Sequence, residues 1–283
     1  MVMIKINQLA GMNIHYLFYS LKEFFAYQQK IGISSVELWG GAPHFFIDAF
    51  TYSNCQAVKQ LAQKHALDII AFTPESIIYP YNIAAPETMQ WEKSKAYFRN
   101  AILATAELGC SLMTINSGYG LMEEPIEESW KRSREMLRYL AEIAETEGVT
   151  IALETLRPEE SKIVTKLQEA QRMVHDVAHP SLKLMVDTAA MGVAGEGLQD
   201  WFKAFGDDIV HLHFVDGTPE GHLAWGDGNF NLHEFLTILE KYDYQGFLGQ
   251  EITDSRYLKR PYLADKQVFD KLSEALRKRE GNV

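Results

Sequence analysis

Four ionisable residues stand at the ends of apolar runs: Glu154 in ALETL, Asp187 in KLMVDT, His213 in HLHFVD and Glu251 in GQEI. A carboxylate in such a place is costly unless it is paired, hydrogen-bonded or bound to a metal. Two Glu, one Asp and one His make a ligand set that is mostly oxygen with one imidazole. That set suits one divalent ion, Mn²⁺ best, with Mg²⁺, Co²⁺, Ni²⁺ or Zn²⁺ as alternatives. An octahedral ion would keep two positions for water or for adjacent substrate oxygens. His211 and His213 alternate along one strand, so both face the same side. His211 is therefore a candidate to orient a ligand or to touch substrate.

The elements that must position these residues repeat as strand, loop and helix. The predicted strands are Lys5–Gln8, Ser35–Trp39, Asp68–Phe72, Leu112–Asn116, Thr150–Glu154, Leu182–Asp187, Ile209–Phe214 and Phe247–Ile252. The predicted helices are Leu21–Ile31, Thr51–His65, Met89–Leu108, Glu127–Glu147, Lys166–Val177, Leu198–Phe205, Leu232–Lys241 and Pro261–Arg279. Glycine just past several helices fits a left-handed C-terminal cap. Eight such units give a closed barrel or an open doubly wound sheet. Polar residues end many different strands: Glu37, Glu75, Asn116, Glu154, Asp187, His213 and Glu251. An open sheet has one crevice at a switch point, whereas a barrel gathers all its strand ends around one pocket. The expectation is an α/β fold, a (β/α)8 TIM barrel, as a single domain over residues 1–283.

Composition narrows the function classes. The chain has 283 residues, 47% of them hydrophobic. No apolar run approaches the ~20 residues of a membrane span, so no membrane partner is expected. The start, MVMIKINQLAG, lacks the pattern of a signal peptide. Cys55 and Cys110 lack metal or redox spacing and read as reduced buried thiols. A soluble cytoplasmic protein is expected. The net charge of −11 argues against nucleic acid, whose phosphates need clustered Lys and Arg.

The ligand spacing over strands five to eight, LE at Glu154, VD at Asp187, HxH at His213 and QE at Glu251, resembles the xylose-isomerase-like sugar isomerase/epimerase superfamily. The resemblance runs over nearly the whole chain and implies the same barrel, a metal held by those four residues and a sugar substrate. VELWGGAPHFF (36–46), FTPESIIYPYN (72–82), LETLRPEES and HLHFVDG further resemble the fructoselysine 3-epimerases of that superfamily. These strings put Trp39, His44, Glu75, Tyr79 and Tyr81 in the loops after strands two and three, where aromatics can floor a sugar. Glu160 matches the substrate-binding Glu of the superfamily, and Arg157 and His222 are further candidates for substrate contact. D-tagatose-type epimerases carry a substrate-binding His three residues after the Asp ligand and an Arg six residues after the His ligand. Here those positions hold Ala190 and Pro219. The departure favours a C1-substituted ketose, such as fructoselysine or another sugar-amine, over a free hexulose. Glu75 or Glu123 would then meet a cationic substituent. Family members are often dimers or tetramers, which makes a homo-oligomer an expectation.

The resemblance implies a metal-dependent ketose 3-epimerase. The C3–H beside a ketose carbonyl is a weak acid, and a divalent cation would supply the charge stabilisation its loss requires. Glu154 and Glu251 are the candidate catalytic pair, one taking the proton and the other returning one to the opposite face. The same groups would serve an aldose–ketose isomerase or a dehydratase acting on inososes. A DNA-repair enzyme like endonuclease IV is disfavoured by charge and by missing extra ligands. A sugar-binding module without catalysis is disfavoured by the Glu pair.

Overall fold

In a computed structural model, described here over residues 3–77 and 80–281, eight strands in chain order, β1 to β8, close into a parallel barrel. The strands are β1 Leu9–Met12, β2 Ser35–Gly40, β3 Asp68–Pro74, β4 Leu112–Asn116, β5 Thr150–Glu154, β6 Leu182–Asp187, β7 Ile209–His213 and β8 Phe247–Gly249. The helices are α1 Leu21–Ile31, α2 Cys55–Lys64, α3 Thr88–Leu108, α4 Ile126–Glu147, α5 Leu167–Val177, α6 Thr188–Val193, α7 Leu198–Phe205, α8 Leu232–Lys241 and α9 Pro261–Glu280. The expected α/β barrel is therefore present. Among the described residues no helix is long and apolar enough to cross a membrane.

Three elements differ from the sequence reading by more than two residues at a boundary. The first strand is Leu9–Met12, not Lys5–Gln8. Gln8 turns back instead: its backbone N–H donates to the Lys5 carbonyl, and its side-chain oxygen accepts from the Lys5 N–H, which closes a short 3-10 turn over Ile6–Gln8. LAGM, buried at every position, then enters the barrel. The last strand stops at Gly249, so Glu251 lies in the loop beyond it rather than on the strand. The second helix starts at Cys55 rather than Thr51, because Tyr52 pairs with Ile47 in an antiparallel bridge. The short helix α6, directly after Asp187, was not anticipated.

Backbone contacts divide the chain into two compact units. The first comprises Met1–Leu38, Gln60–Ile69 and Val186–Val283. Within it β1 pairs with β2 (Ala10↔Ser35 to Met12↔Glu37) and with β8 (Ala10↔Gly249), and β7 pairs with β8 (His211↔Phe247 to His213↔Gly249). Phe24, Phe25, Trp201, Phe214 and Trp225 are among its fully buried side chains. Ser20 caps α1 by accepting from the Glu23 N–H, and Asn231 caps α8 in the same way through Glu234.

One buried network ties this unit together. The Asp265 carboxyl, on α9, accepts from the Tyr16 hydroxyl, from Gln28 Nε2 at 2.6 Å and from His15 Nε2 at 2.8 Å. All four residues are buried, which joins the loop after β1, helix α1 and helix α9 at a single carboxyl. Burial first, then the neighbouring Asp265, holds the Tyr16 phenol far above its ordinary pKa, so it stays a donor.

The second unit comprises Trp39–Lys59 and Ile70–Met185. Here β3 pairs with β4 (Phe72↔Met113), β4 with β5 (Leu112↔Thr150 to Asn116↔Glu154) and β5 with β6 (Ile151↔Leu182 to Leu153↔Leu184). Helices α3, α4 and α5 pack in sequence, and Phe45, Phe72, Tyr97 and Phe98 are buried. Gly109 and Gly148 follow α3 and α4 with φ of +81° and +67°, the left-handed caps expected there. Cys55 and Cys110 are both free and buried, as read from their spacing. The loop before α4 is clamped by Glu124, whose carboxylate takes two 2.6 Å hydrogen bonds from Arg132 Nη2.

Candidate active site

Asp187, His213 and Glu251 come together in the first unit. Each offers one ligand atom, these atoms lie within 4.8 Å of one another, and all three residues are buried. His213 Nδ1 is 3.0 Å from Glu251 Oε2 and 3.9 Å from Asp187 Oδ2. The two oxygens of Asp187 have separate tasks. Oδ1 accepts from the backbone N–H groups of Ala189 (2.6 Å) and Ala190 (3.0 Å), capping α6. Oδ2 remains for the histidines. Burial pushes the Asp187 carboxyl up, but His222, His213 and the Ala190 N–H outweigh it and hold it well below the usual carboxylate range. Two carboxylates and an imidazole nitrogen, buried and convergent, form a donor set that fits a divalent cation.

His222 joins this group from the loop after β7. Its Nε2 is 2.6 Å from Asp187 Oδ2 and 3.3 Å from Glu251 Oε2. The loop is built to deliver it. Asp216, buried just beyond β7, accepts from the backbone N–H groups of Gly217, Gly226 and Gly228, each at 2.9 Å, and of Phe230 at 3.0 Å. Asp216 and Leu223 also form an antiparallel bridge, and the His222 carbonyl accepts from the Thr253 N–H at 3.2 Å.

Behind His213 stands Glu37, a residue that the sequence showed only as one of several strand-end polar groups. It is fully buried on β2, with Oε1 3.0 Å from His213 Nε2 and Oε2 2.8 Å from His211 Nε2. His211 thus faces the same side as His213, as its alternation implied. Burial alone would raise the Glu37 carboxyl, but the two imidazoles hold it well below its usual range.

The remaining sequence candidates lie in the second unit. Glu154 is buried as the last residue of β5, opposite Asn116 of β4. Trp39 Nε1 donates to Glu75 Oε2 at 2.8 Å, and the Trp39 ring meets His44 edge-on at 6.5 Å. Glu75 is held further by the Ile77 N–H, and its carbonyl accepts from the Tyr97 hydroxyl at 2.6 Å. Tyr81 stacks on Tyr97 with ring centroids 3.8 Å apart. Trp39, Glu75, Tyr97 and Tyr81 therefore form one connected set, and Tyr97 is the member that sequence reasoning missed. Arg157 and Glu160 form an ion pair with each other, and the Arg157 N–H donates to Glu160 Oε2 at 3.0 Å. Glu123 is exposed, and Tyr79 lies outside the described residues.

The sequence matches the family described as xylose isomerase-like TIM barrel over residues 25–279. The chain belongs to that family. Within it, fructoselysine 3-epimerase of Shigella flexneri is 30% identical over 249 residues, covering 87% of this chain and 90% of the relative. Fructoselysine 3-epimerase of Escherichia coli O157:H7 is 29% identical over the same length and shares. Among solved structures, D-psicose 3-epimerase of Clostridium cellulolyticum H10 superposes with a TM-score of 0.77 at 20% identity, covering 95% of this chain and 99% of that one. These family members are sugar epimerases, and the chain is an isomerase-class enzyme.

Proposed function

We propose that the chain is a divalent-metal-dependent ketose 3-epimerase, a single barrel domain over residues 1–283, acting on a C1-substituted ketose such as fructoselysine. The observation that carries the reading is the buried convergence of Asp187, His213 and Glu251, found in a chain 30% identical to a fructoselysine 3-epimerase. Glu154 is the proposed fourth ligand: it is buried and ends a barrel strand, as the ligand spacing of the family implies. The donor set favours Mn²⁺.

A divalent cation, when bound, supplies Lewis-acid stabilisation of the charge that develops on the substrate carbonyl. The chain's own groups do the rest. Glu154 and Glu251 are the proton pair, one removing the C3 proton and the other returning one to the opposite face. Which of them acts as base depends on the epimer presented. Asp187 is kept anionic and fixed by its helix cap. His222 brings a second imidazole to Asp187, at 2.6 Å, in a chain that has Ala190 three residues after Asp187 where D-tagatose-type epimerases carry a His. Trp39, His44, Glu75 and Tyr81 form the proposed substrate contacts after strands two and three, with Arg157, Glu160 and His211 as further candidates. Pro219, in place of an Arg, removes a donor that a free hexulose would use.

Incubating a panel of ketoses and fructosamines in D2O, with and without Mn²⁺, tests the reading. Deuterium should enter at C3, only with Mn²⁺ and only for C1-substituted ketoses. Aldose formation would indicate an isomerase instead, and no incorporation with any substrate would sink the proposal.

A further inference from the structure

Resting on the metal reading of this site, we propose that Glu37 is the positioning residue that selects which nitrogen of His213 faces it. A neutral imidazole carries one N–H and one lone pair, and the partner of the N–H decides which nitrogen is left to ligate. The His213 ring has a carboxylate on each side. Nε2 lies 3.0 Å from Glu37 Oε1, and Nδ1 lies 3.0 Å from Glu251 Oε2. The group of Asp187, His213 and Glu251 is a separate one from that of Glu37, His211 and His213, the two sharing only His213, and both Glu37 oxygens lie at hydrogen-bond distance from histidines. The two distances are equal, but on the metal reading Glu251 is a ligand and needs a bare nitrogen beside it, so Glu37 takes the Nε2–H and leaves the Nδ1 lone pair turned toward Asp187 and Glu251. His211 completes the clamp by donating its own Nε2–H to Glu37 Oε2 at 2.8 Å, which fixes the carboxylate plane.

The neighbouring strand makes room for this arrangement. Gly249 of β8 pairs with His213 of β7. A Cβ at that position would stand 2.5 Å from Glu37 Oε2 and 3.1 Å from His211 Nε2. Only a residue without a side chain lets the Glu37 carboxylate lie between the two rings. Glu37, His211, His213 and Gly249 are thus a single positioning device drawn from three strands, of which His213 alone is shared with the group of Asp187 and Glu251.

The test reads the ring directly. In ¹⁵N-histidine-labelled, metal-free protein at pH 8, long-range ¹H–¹⁵N spectra should show His213 with Nε2 protonated and Nδ1 bare. The signal is assigned by its loss in His213→Asn. A protonated Nδ1 would overturn the proposal. Calorimetric titration with Mn²⁺ supplies the second readout. Glu37→Gln keeps an acceptor for one histidine but removes the charge, and should weaken Mn²⁺ binding about 10- to 100-fold. Gly249→Ala should weaken it in the same direction by displacing the carboxylate. Folded Glu37→Gln that binds Mn²⁺ within about twofold of wild type would also overturn the proposal. The spectra need neither a variant at position 37 nor a bound metal, so they decide the role of Glu37 even if Glu37→Gln does not fold. Failure of the wild-type protein to bind any divalent cation would defeat the metal reading alone.

Discussion

Asp265→Leu is the perturbation whose cost follows most directly from the structure. The Asp265 carboxyl is fully buried and accepts three hydrogen bonds, from Tyr16, Gln28 and His15. Leucine fills similar space but accepts none, so three buried donors lose their partner at once. Each unsatisfied buried donor costs about 1–3 kcal/mol, which puts the total at roughly 3–9 kcal/mol. That is comparable with the ~5–15 kcal/mol by which a protein of this kind is stable. Asp265→Asn should cost less. Its amide nitrogen can face His15 Nε2 if the imidazole moves its proton to Nδ1, a nitrogen with no hydrogen-bond partner among the described residues. The carbonyl oxygen then still serves Tyr16 and Gln28. Urea denaturation followed by far-UV circular dichroism gives both values from the midpoint and slope. The order expected is wild type, then Asn, then Leu. Asp265→Leu within about 1 kcal/mol of wild type would refute the reasoning, because it would mean that those donors find other partners or water at no cost.

Other consequences are checked more briefly. Glu154→Gln and Glu251→Gln should each lower C3 hydrogen exchange with solvent at least ~100-fold while leaving the circular dichroism spectrum unchanged. Burial acts to raise the Glu124 carboxyl, but Ser129, Arg132 and the Leu121 N–H hold it below its ordinary value. A carboxyl lowered in the folded state adds stability above its unfolded pKa of about 4.3 and loses it as the pH falls through the lowered value. Backbone amides in the loop clamped by Glu124 should therefore lose protection, relative to global stability, as the pH falls below the unfolded pKa of about 4.3 but not between about pH 5 and pH 8. The Cys55 and Cys110 thiols are both pushed up to about 12, chiefly by burial. Neither should react with a thiol reagent at pH 7.5 in the native protein, and both should react in urea, as counted by mass spectrometry.

The strand-end residues were legible because strand ends are where a barrel carries its chemistry. Asp187, His213 and Glu251 each interrupt an apolar run with a group that needs a reason to be there. The period of the helices, and glycines such as Gly109 and Gly148, marked the outer elements for similarly local reasons. What could not be read was set by distant partners. KINQ alternates like a strand, but Gln8 folds back on Lys5, and the less patterned LAGM is the piece buried in the barrel. Glu37 looks like one more strand-end carboxylate in VELWG, because its two histidines are contributed from 174 and 176 positions away. Asp265 sits in a helix between Ala264 and Lys266, where a carboxylate looks like a surface residue, and its role depends on a tyrosine, a glutamine and a histidine from the first 28 residues.

The loop wound around Asp216 has a thermodynamic consequence for any ligand that meets His222. A free loop of this kind would have to be ordered at the moment of encounter, at about 1–2 kcal/mol for each backbone residue fixed. Here four N–H groups spread from Gly217 to Phe230 already converge on one carboxylate. The entropy loss is therefore taken during folding, and an arriving sugar would meet an imidazole whose carrier is already still. Affinity gained in this way needs no extra contact with the ligand. It also means that a change at Asp216, which need touch no substrate, would be felt as weaker binding.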